Sequence, residues 1–168
     1  MTKKPSRRGR TPEAFDLESS IPFLLNSLTR RFNARLERAF QSKRLGIHDW
    51  RLLATLANTS LNRPVDIAEF IATDPSTLSR IIDRFERAGV LVRKKPAGEA
   101  RVTFVEITTL GRSLYAAALE VISHQREALL SPLTERERKA LTQILVKLRD
   151  TYEPAAALAR LQTNASAA

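Results

Sequence analysis

Hydroxyl and arginine side chains are concentrated in the segment that follows Pro75. When its residues are placed about 100° apart, as on a helix, the segment separates into an apolar and a polar face. The polar face carries Ser76, Thr77, Ser79, Arg80, Asp83, Arg84 and Arg87. Hydroxyls can donate to phosphates or base edges at close approach, and arginine can donate to guanine N7 and O6 or to phosphate. The pattern therefore indicates a surface that meets duplex DNA, with Arg80 and Arg84 one turn apart.

A basic loop follows the same segment. Two short β-type runs, residues 90–93 and 102–107, flank a stretch whose proline and glycine predict a hairpin loop. That stretch carries Lys94, Lys95 and Arg101, and a basic wing commonly reaches a minor groove. An ordinary amphipathic helix with a solvated charged face is the alternative interpretation of the polar segment, but the adjoining basic hairpin weighs against it.

The elements that would position these side chains are mostly helical. Apolar residues at helical spacing predict a long amphipathic helix from Leu17 to Phe40 and a second from His48 to about Asn58. A third, short helix is expected to begin at Pro64, because proline suits the first helical turn.

The helix with the polar face has recognisable ends, since Asp74 can cap it and Gly89 is the expected C-terminal glycine. After the hairpin, a long helix is expected over residues 108–130. The capping-box spacing of Thr134 and Glu137 then predicts a last helix, which runs to about residue 152.

This order predicts a mainly α fold with a small β-hairpin wing, in which a winged helix-turn-helix core is flanked by long dimerisation helices. The apolar stripes of the outer helices exceed what the small core can cover, so a homodimer is expected. The expected divisions are a disordered basic tail (1–14), an N-terminal dimerisation helix (15–46), a DNA-binding domain (47–108), C-terminal dimerisation helices (109–152) and a frayed tail (153–168).

Composition limits the chemistry that is possible. The chain has 28 Lys+Arg against 18 Asp+Glu, a net charge of +10, which favours nucleic acid or an anionic membrane surface as partner. The absence of cysteine excludes disulfides, thiolate catalysis and zinc fingers, and two histidines leave little for a metal site. No Ser/His/Asp set, glycine-rich phosphate loop or paired-carboxylate motif is present. We therefore expect a protein that is not an enzyme and needs no cofactor.

The longest apolar run, residues 114–119, is far shorter than a membrane span, and the basic start leads into no apolar stretch. A cytoplasmic protein that does not associate with membranes is expected. Half of the charge excess lies in residues 1–10, which carry five basic and no acidic side chains. Whether that tail contacts DNA or only aids solubility stays open.

Three runs carry a resemblance to a known family. They are Trp50-Arg-Leu-Leu-Ala-Thr-Leu, Ile67-Ala-Glu-Phe-Ile-Ala and Pro75-Ser-Thr-Leu-Ser-Arg-Ile-Ile-Asp-Arg-Phe-Glu-Arg-Ala-Gly-Val-Leu. Together with Gly111 and the residues that begin the last helix, these runs resemble the MarR-type transcriptional regulators over roughly residues 17–152. The resemblance implies a homodimer that binds successive major grooves of a pseudo-palindromic operator. It also implies repression of an adjacent gene and release of DNA when a small ligand binds.

Carried over by position, the resemblance assigns groove-facing roles to Ser76, Thr77, Ser79, Arg80 and Arg84. It makes Arg101 the wing-tip arginine. The family wing usually has an aspartate two residues before that arginine, often with another arginine between them. Here the residues are Glu99, which can still orient Arg101, and Ala100, which removes one potential phosphate contact of the wing.

A small organic effector is the expected ligand, because a chain without cysteine cannot sense peroxide through a thiol. The candidate ligand-binding residues are Phe23, Arg30, His48 and Trp50. An arginine beside an aromatic cavity suits an aromatic acid or its acyl-coenzyme A thioester. In the alternative interpretation, Trp50 belongs to the core and His48 only begins a helix.

Two functions follow from these observations. The favoured one is a sequence-specific DNA-binding transcriptional regulator, a repressor that a small organic ligand releases from its operator. The alternative is a constitutive architectural DNA-binding protein that senses nothing. The sequence leaves open the effector, the operator, the regulated genes and the choice between repression and activation.

Overall fold

The computed structural model describes residues 16–95 and 103–152. The helices in chain order are α1 (Ile21–Phe40), α2 (Ile47–Asn58), α3 (Pro64–Phe70), α4 (Pro75–Arg87), α5 (Thr109–Leu130) and α6 (Glu135–Tyr152). The strands β1 (Leu91–Lys94) and β2 (Phe104–Ile107) pair as an antiparallel hairpin, with Leu91 opposite Ile107. This order confirms the predicted mainly helical fold with a winged helix-turn-helix core and a small β-hairpin.

The first helix begins later than the apolar spacing predicts. Residues 16–20 form a turn, in which the Ser20 N–H donates to the Leu17 carbonyl at 3.1 Å, and α1 starts at Ile21. Pro22 explains the difference, because proline has no N–H and suits only the first helical turn. A helix that began at Leu17 would place Pro22 in its second turn, against the Glu18 carbonyl. The predicted start was therefore wrong by four residues.

The ends of α4 are as predicted. Asp74 is its N-cap and accepts a hydrogen bond from the Thr77 N–H at 2.8 Å. Gly89 has φ 70°, the left-handed conformation that glycine adopts without a steric penalty, and it ends the helix. The chain then turns directly into β1, so the hairpin lies next to α4.

The core lies where α2, α3 and α4 meet the hairpin and the end of α1. Its largest fully buried side chains are Phe40, Leu52, Leu53, Ile67, Leu78, Ile82 and Val105. Each such side chain contributes about 1.5–3 kcal/mol by leaving water, which holds α4 firmly against the rest of the unit.

The base of the hairpin is fastened to its surroundings by three contacts. The Val105 N–H donates to the Asn62 carbonyl at 2.8 Å, and the Thr108 hydroxyl lies 2.7 Å from the Gly89 carbonyl. The third contact is the close approach of Gly111 in α5, where an added Cβ would lie 2.3 Å from the Val90 carbonyl oxygen. The wing therefore starts from a fixed position.

The outer helices keep large apolar faces exposed in the single chain. The exposed apolar side chains of α1 and α6 are Ile21, Phe23, Leu24, Leu25, Leu28, Leu141, Ile144, Leu145, Val146 and Leu148. No helix within the described ranges is both long and apolar enough to cross a membrane. The predicted tails, residues 1–14 and 153–168, lie outside the described residues, as does the tip of the wing at 96–102.

Candidate nucleic-acid interface

The candidate interface is built on α4, which is held by its apolar side. Leu78, Ile81, Ile82 and Phe85 are buried at 1–8% exposure. Ser76, Ser79, Arg80 and Arg84 are exposed on the other side, and Thr77 is half-buried. The structure thus brings the five proposed groove-facing residues to one helix face that the core fixes in place.

The first turn of α4 has its own hydrogen-bond arrangement. The Ser76 hydroxyl donates to the Asp74 carboxylate at 2.6 Å, beside the Thr77 N–H bond to the same oxygen. These bonds, the one from Ser76 first, hold the pKa of Asp74 well below its ordinary value. Asp74 is therefore charged at neutral pH and offsets part of the positive potential at the helix N-terminus.

Arg80 and Arg84 differ although they lie on the same face. Arg80 has no ion-pair or hydrogen-bond partner among the described residues. Arg84 forms an ion pair with Asp49 of α2, whose side chain is only 5% exposed, and its guanidinium lies 5.1 Å from the Phe85 ring centre. Asp49 also accepts from the Gly46 N–H at 2.7 Å and so caps α2. Arg84 thus connects α4 to the start of α2 and keeps half of its side chain exposed.

Arg93 is a residue of the interface that the sequence interpretation missed. From β1 it donates to Asp83 of α4 at 2.5 Å and to Glu86 of the same helix. Burial alone would lower the pKa of Arg93, but the bonds to the two carboxylates outweigh burial and raise it. These two ion pairs fix the wing against α4 and offset part of the negative charge of Asp83 and Glu86 beside the polar face. The i, i+3 spacing of two acids before a strand arginine is the signal that could have indicated it.

The basic wing residues lie in different surroundings. Lys94 forms an ion pair with Glu106 across the hairpin at 2.6 Å, while Lys95 is exposed at the end of the described strand. Arg101 lies outside the described residues, so its place at the wing tip stays a prediction.

A cleft of about 640 Å³ opens between α4 and the junction of α1 with α2. Four arginines border it, namely Arg44, Arg80, Arg84 and Arg87, together with the carboxylates Glu37 and Asp49. His48 also borders the cleft, and its buried Nδ1 has no hydrogen-bond partner within residues 16–95 and 103–152. Because Arg80, Arg84 and Thr77 belong both to this cleft and to the polar face of α4, an anion in the cleft would meet side chains that are predicted to contact DNA.

The four candidate ligand residues do not surround one cavity in the described chain. Phe23 and Arg30 are exposed on α1, and His48 borders the cleft beside α4. Trp50 borders a separate cavity of about 270 Å³ and stacks on Tyr115 of α5, with ring centres 5.5 Å apart. That stacking packs α2 against α5, which supports the core interpretation of Trp50.

Comparison with known proteins gives consistent matches. The MarR family profile matches residues 46–103. The HTH-type transcriptional regulator PecS of Dickeya dadantii (strain 3937) is 26% identical over 136 residues, which cover 77% of this chain and 82% of PecS.

Two solved structures share the fold of the chain. A MarR family transcriptional regulator from Silicibacter pomeroyi matches with a TM-score of 0.73 and 26% identity, over 82% of this chain and 93% of that one. BpsR of Bordetella bronchiseptica matches with a TM-score of 0.73 and 20% identity, over 82% of this chain and 99% of BpsR. The DNA binding of BpsR is regulated by 6-hydroxynicotinic acid.

Proposed function

Since this chain belongs to the MarR family of winged-helix transcriptional regulators, we propose that it is a homodimeric repressor that a small organic ligand releases from its operator. The observation that carries the proposal is the polar face of α4, which lies beside a hairpin that Arg93 holds in place. This face has exposed hydroxyls and an Arg80 that no described residue pairs with.

DNA reading is assigned to α4 and the wing. The face with Ser76, Thr77, Ser79, Arg80 and Arg84 enters a major groove, where Arg80 suits bidentate donation to guanine. The wing, with Lys94, Lys95 and Arg101, follows the adjacent minor groove and contacts phosphates. The strong positive net charge supports both contacts.

Dimerisation would cover the apolar faces that a single chain leaves exposed. The exposed leucines and isoleucines of α1 and α6 form such a face, and a second copy is the partner with a matching one. A two-fold axis between the copies would present two α4 helices to successive major grooves. The operator is therefore expected to be a pseudo-palindrome.

The effector is assigned to the cleft beside α4. Its arginines favour an anion such as an aromatic carboxylate or an acyl-coenzyme A phosphate, and His48 lies at the border of the same cleft. An anion held there would compete with DNA for Arg80 and Arg84, which would release the operator. The regulation of BpsR by an aromatic acid supports this class of effector. Phe23, Arg30 and Trp50 do not border this cleft, so the proposal does not place them on the effector.

Two titrations test the proposal with the full chain. In the first, fluorescence anisotropy compares a duplex from the DNA that adjoins the coding sequence with a scrambled duplex of equal length. Tighter binding to the first duplex is expected, and equal binding to both would contradict sequence-specific regulation. In the second, aromatic carboxylates and acyl-coenzyme A thioesters are added to the preformed complex. Release is expected, and no release by any of them would favour the constitutive architectural protein.

A further inference from the structure

Arg44 has a backbone conformation that its side chain does not favour. It ends the short 3-10 turn after α1 with φ 53° and ψ 35°, in the left-handed region, and its N–H donates to the Gln41 carbonyl at 3.1 Å. Glycine adopts this conformation without the steric clash that a Cβ meets there. An arginine at such a position carries a small steric cost that a glycine would avoid.

The surroundings of Arg44 point to a use for its side chain. The side chain is exposed and borders the cleft beside α4, together with Arg80 and Arg87. Within the described ranges it has no ion-pair partner, whereas Arg84, Arg93 and Lys94 all have one. Arg44 is thus a cation with no counter-ion in the described chain, placed next to the polar face of α4 but on a different element.

We propose that Arg44 binds a backbone phosphate of the DNA beside the groove that α4 enters, so that the footprint extends to the junction of α1 and α2. The proposal rests on the proposed function, because it requires a bound duplex. A phosphate contact from a second element would fix the position and tilt of α4 in the groove without reading bases. The competing explanation is that the cation only stabilises the carboxyl end of α1 through the helix dipole.

Arg44→Gly separates the two explanations by DNA affinity, because only a phosphate contact predicts a variant that binds DNA more weakly. Glycine also relieves the left-handed strain, so the variant should melt no lower than the wild type. The loss of affinity should be similar on operator and scrambled duplexes. The magnitude of the slope of log K against log salt should decrease by about 1 for each arginine lost. Arg44→Lys keeps the charge and should restore most of the affinity and the slope.

Arg136→Gln is the matched control, since Arg136 is exposed on α6 and has no partner in the part of the chain that the structure describes. It changes the net charge as Arg44→Gly does, and its affinity and salt slope should stay close to those of the wild type. The proposal is overturned if Arg44→Gly binds both duplexes as tightly as the wild type, or if Arg136→Gln weakens binding as much. A wild type that binds no duplex would instead contradict the proposed function.

Discussion

Arg80 and Arg84 lie one turn apart on α4 but have different surroundings, and this difference has measurable consequences. Arg80 is held by nothing in the described chain, so its guanidinium can turn to a base edge. Arg84 is the counter-ion of a nearly buried carboxylate, Asp49, which also caps α2. The first arginine is thus suited to recognition, whereas the second also supports the fold.

Alanine substitutions should separate these two roles. Arg80→Ala should weaken operator binding by about 1–3 kcal/mol, flatten the preference over scrambled duplex and leave the melting temperature unchanged. Arg84→Ala should lower the free energy of unfolding by about 1–2 kcal/mol, because Asp49 would be left without its counter-ion. Anisotropy and urea denaturation measure the two effects. Equal stability of both variants would contradict the structural role of Arg84.

Gly111 is required by a close approach rather than by its backbone angles. An added Cβ would lie 2.3 Å from the Val90 carbonyl oxygen and 2.6 Å from Ile107 Cγ1, and the first of these atoms cannot turn away. Gly111→Ala should therefore destabilise the fold by about 1–3 kcal/mol, as overpacking does. Ser113→Ala, at an exposed position of the same helix, is the control and should change little. Urea denaturation measures the free energy of unfolding of the two variants, and equal stability would contradict the close approach.

At the scale of elements, the wing and α4 act as one unit because Arg93 of β1 bonds to Asp83 and Glu86. The partners are one turn apart on the helix, so a single guanidinium fixes the distance and the angle of the hairpin. Without that connection the wing would keep its base contacts at Thr108 but gain freedom along β1.

Arg93→Gln should loosen the wing while α4 stays folded. We expect weaker binding to operator and scrambled duplexes, together with faster amide exchange in β1 and unchanged exchange in α4. Lys95→Gln removes the same charge from an exposed position next to β1 and should leave the exchange rates as they are. If both variants show the same exchange pattern, Arg93 does not hold the wing in place.

At the scale of the whole molecule, the exposed apolar face of α6 is the feature that a single chain does not explain. Ile144 is 56% exposed, and Leu141 and Leu148 lie on the same side of the helix. A face of this kind is unfavourable in water unless another surface covers it. The winged unit has its own core and should fold without that cover.

Ile144→Asp should therefore convert the proposed dimer into a monomer at micromolar concentration and weaken operator binding, since two half-sites would no longer be bound together. Light scattering measures the molar mass of each protein in solution and so its oligomeric state. Gln143→Asp places the same charge on the opposite side of α6 and should leave the dimer intact. A monomeric wild type would contradict the proposed assembly.

The sequence by itself determined the features that depend on neighbours along the chain. The caps of α4 at Asp74 and Gly89, the capping box at Thr134 and the order of helices around the hairpin follow from short spacings, so they could be predicted. The start of α1 also depends on neighbouring residues. It was predicted wrongly because the apolar spacing was given more weight than Pro22.

The tertiary structure alone decided which of those features meet. Asp49 and Arg84 are 35 residues apart, and Trp50 stacks on a tyrosine of α5 rather than joining Phe23 and Arg30 around a ligand. Spacing along the chain tells which side of a helix a residue occupies, but not which other helix that side will face. Contacts of that kind arise from the packing of whole elements around the core, where burial and charge pairing select one arrangement among many with the same local pattern.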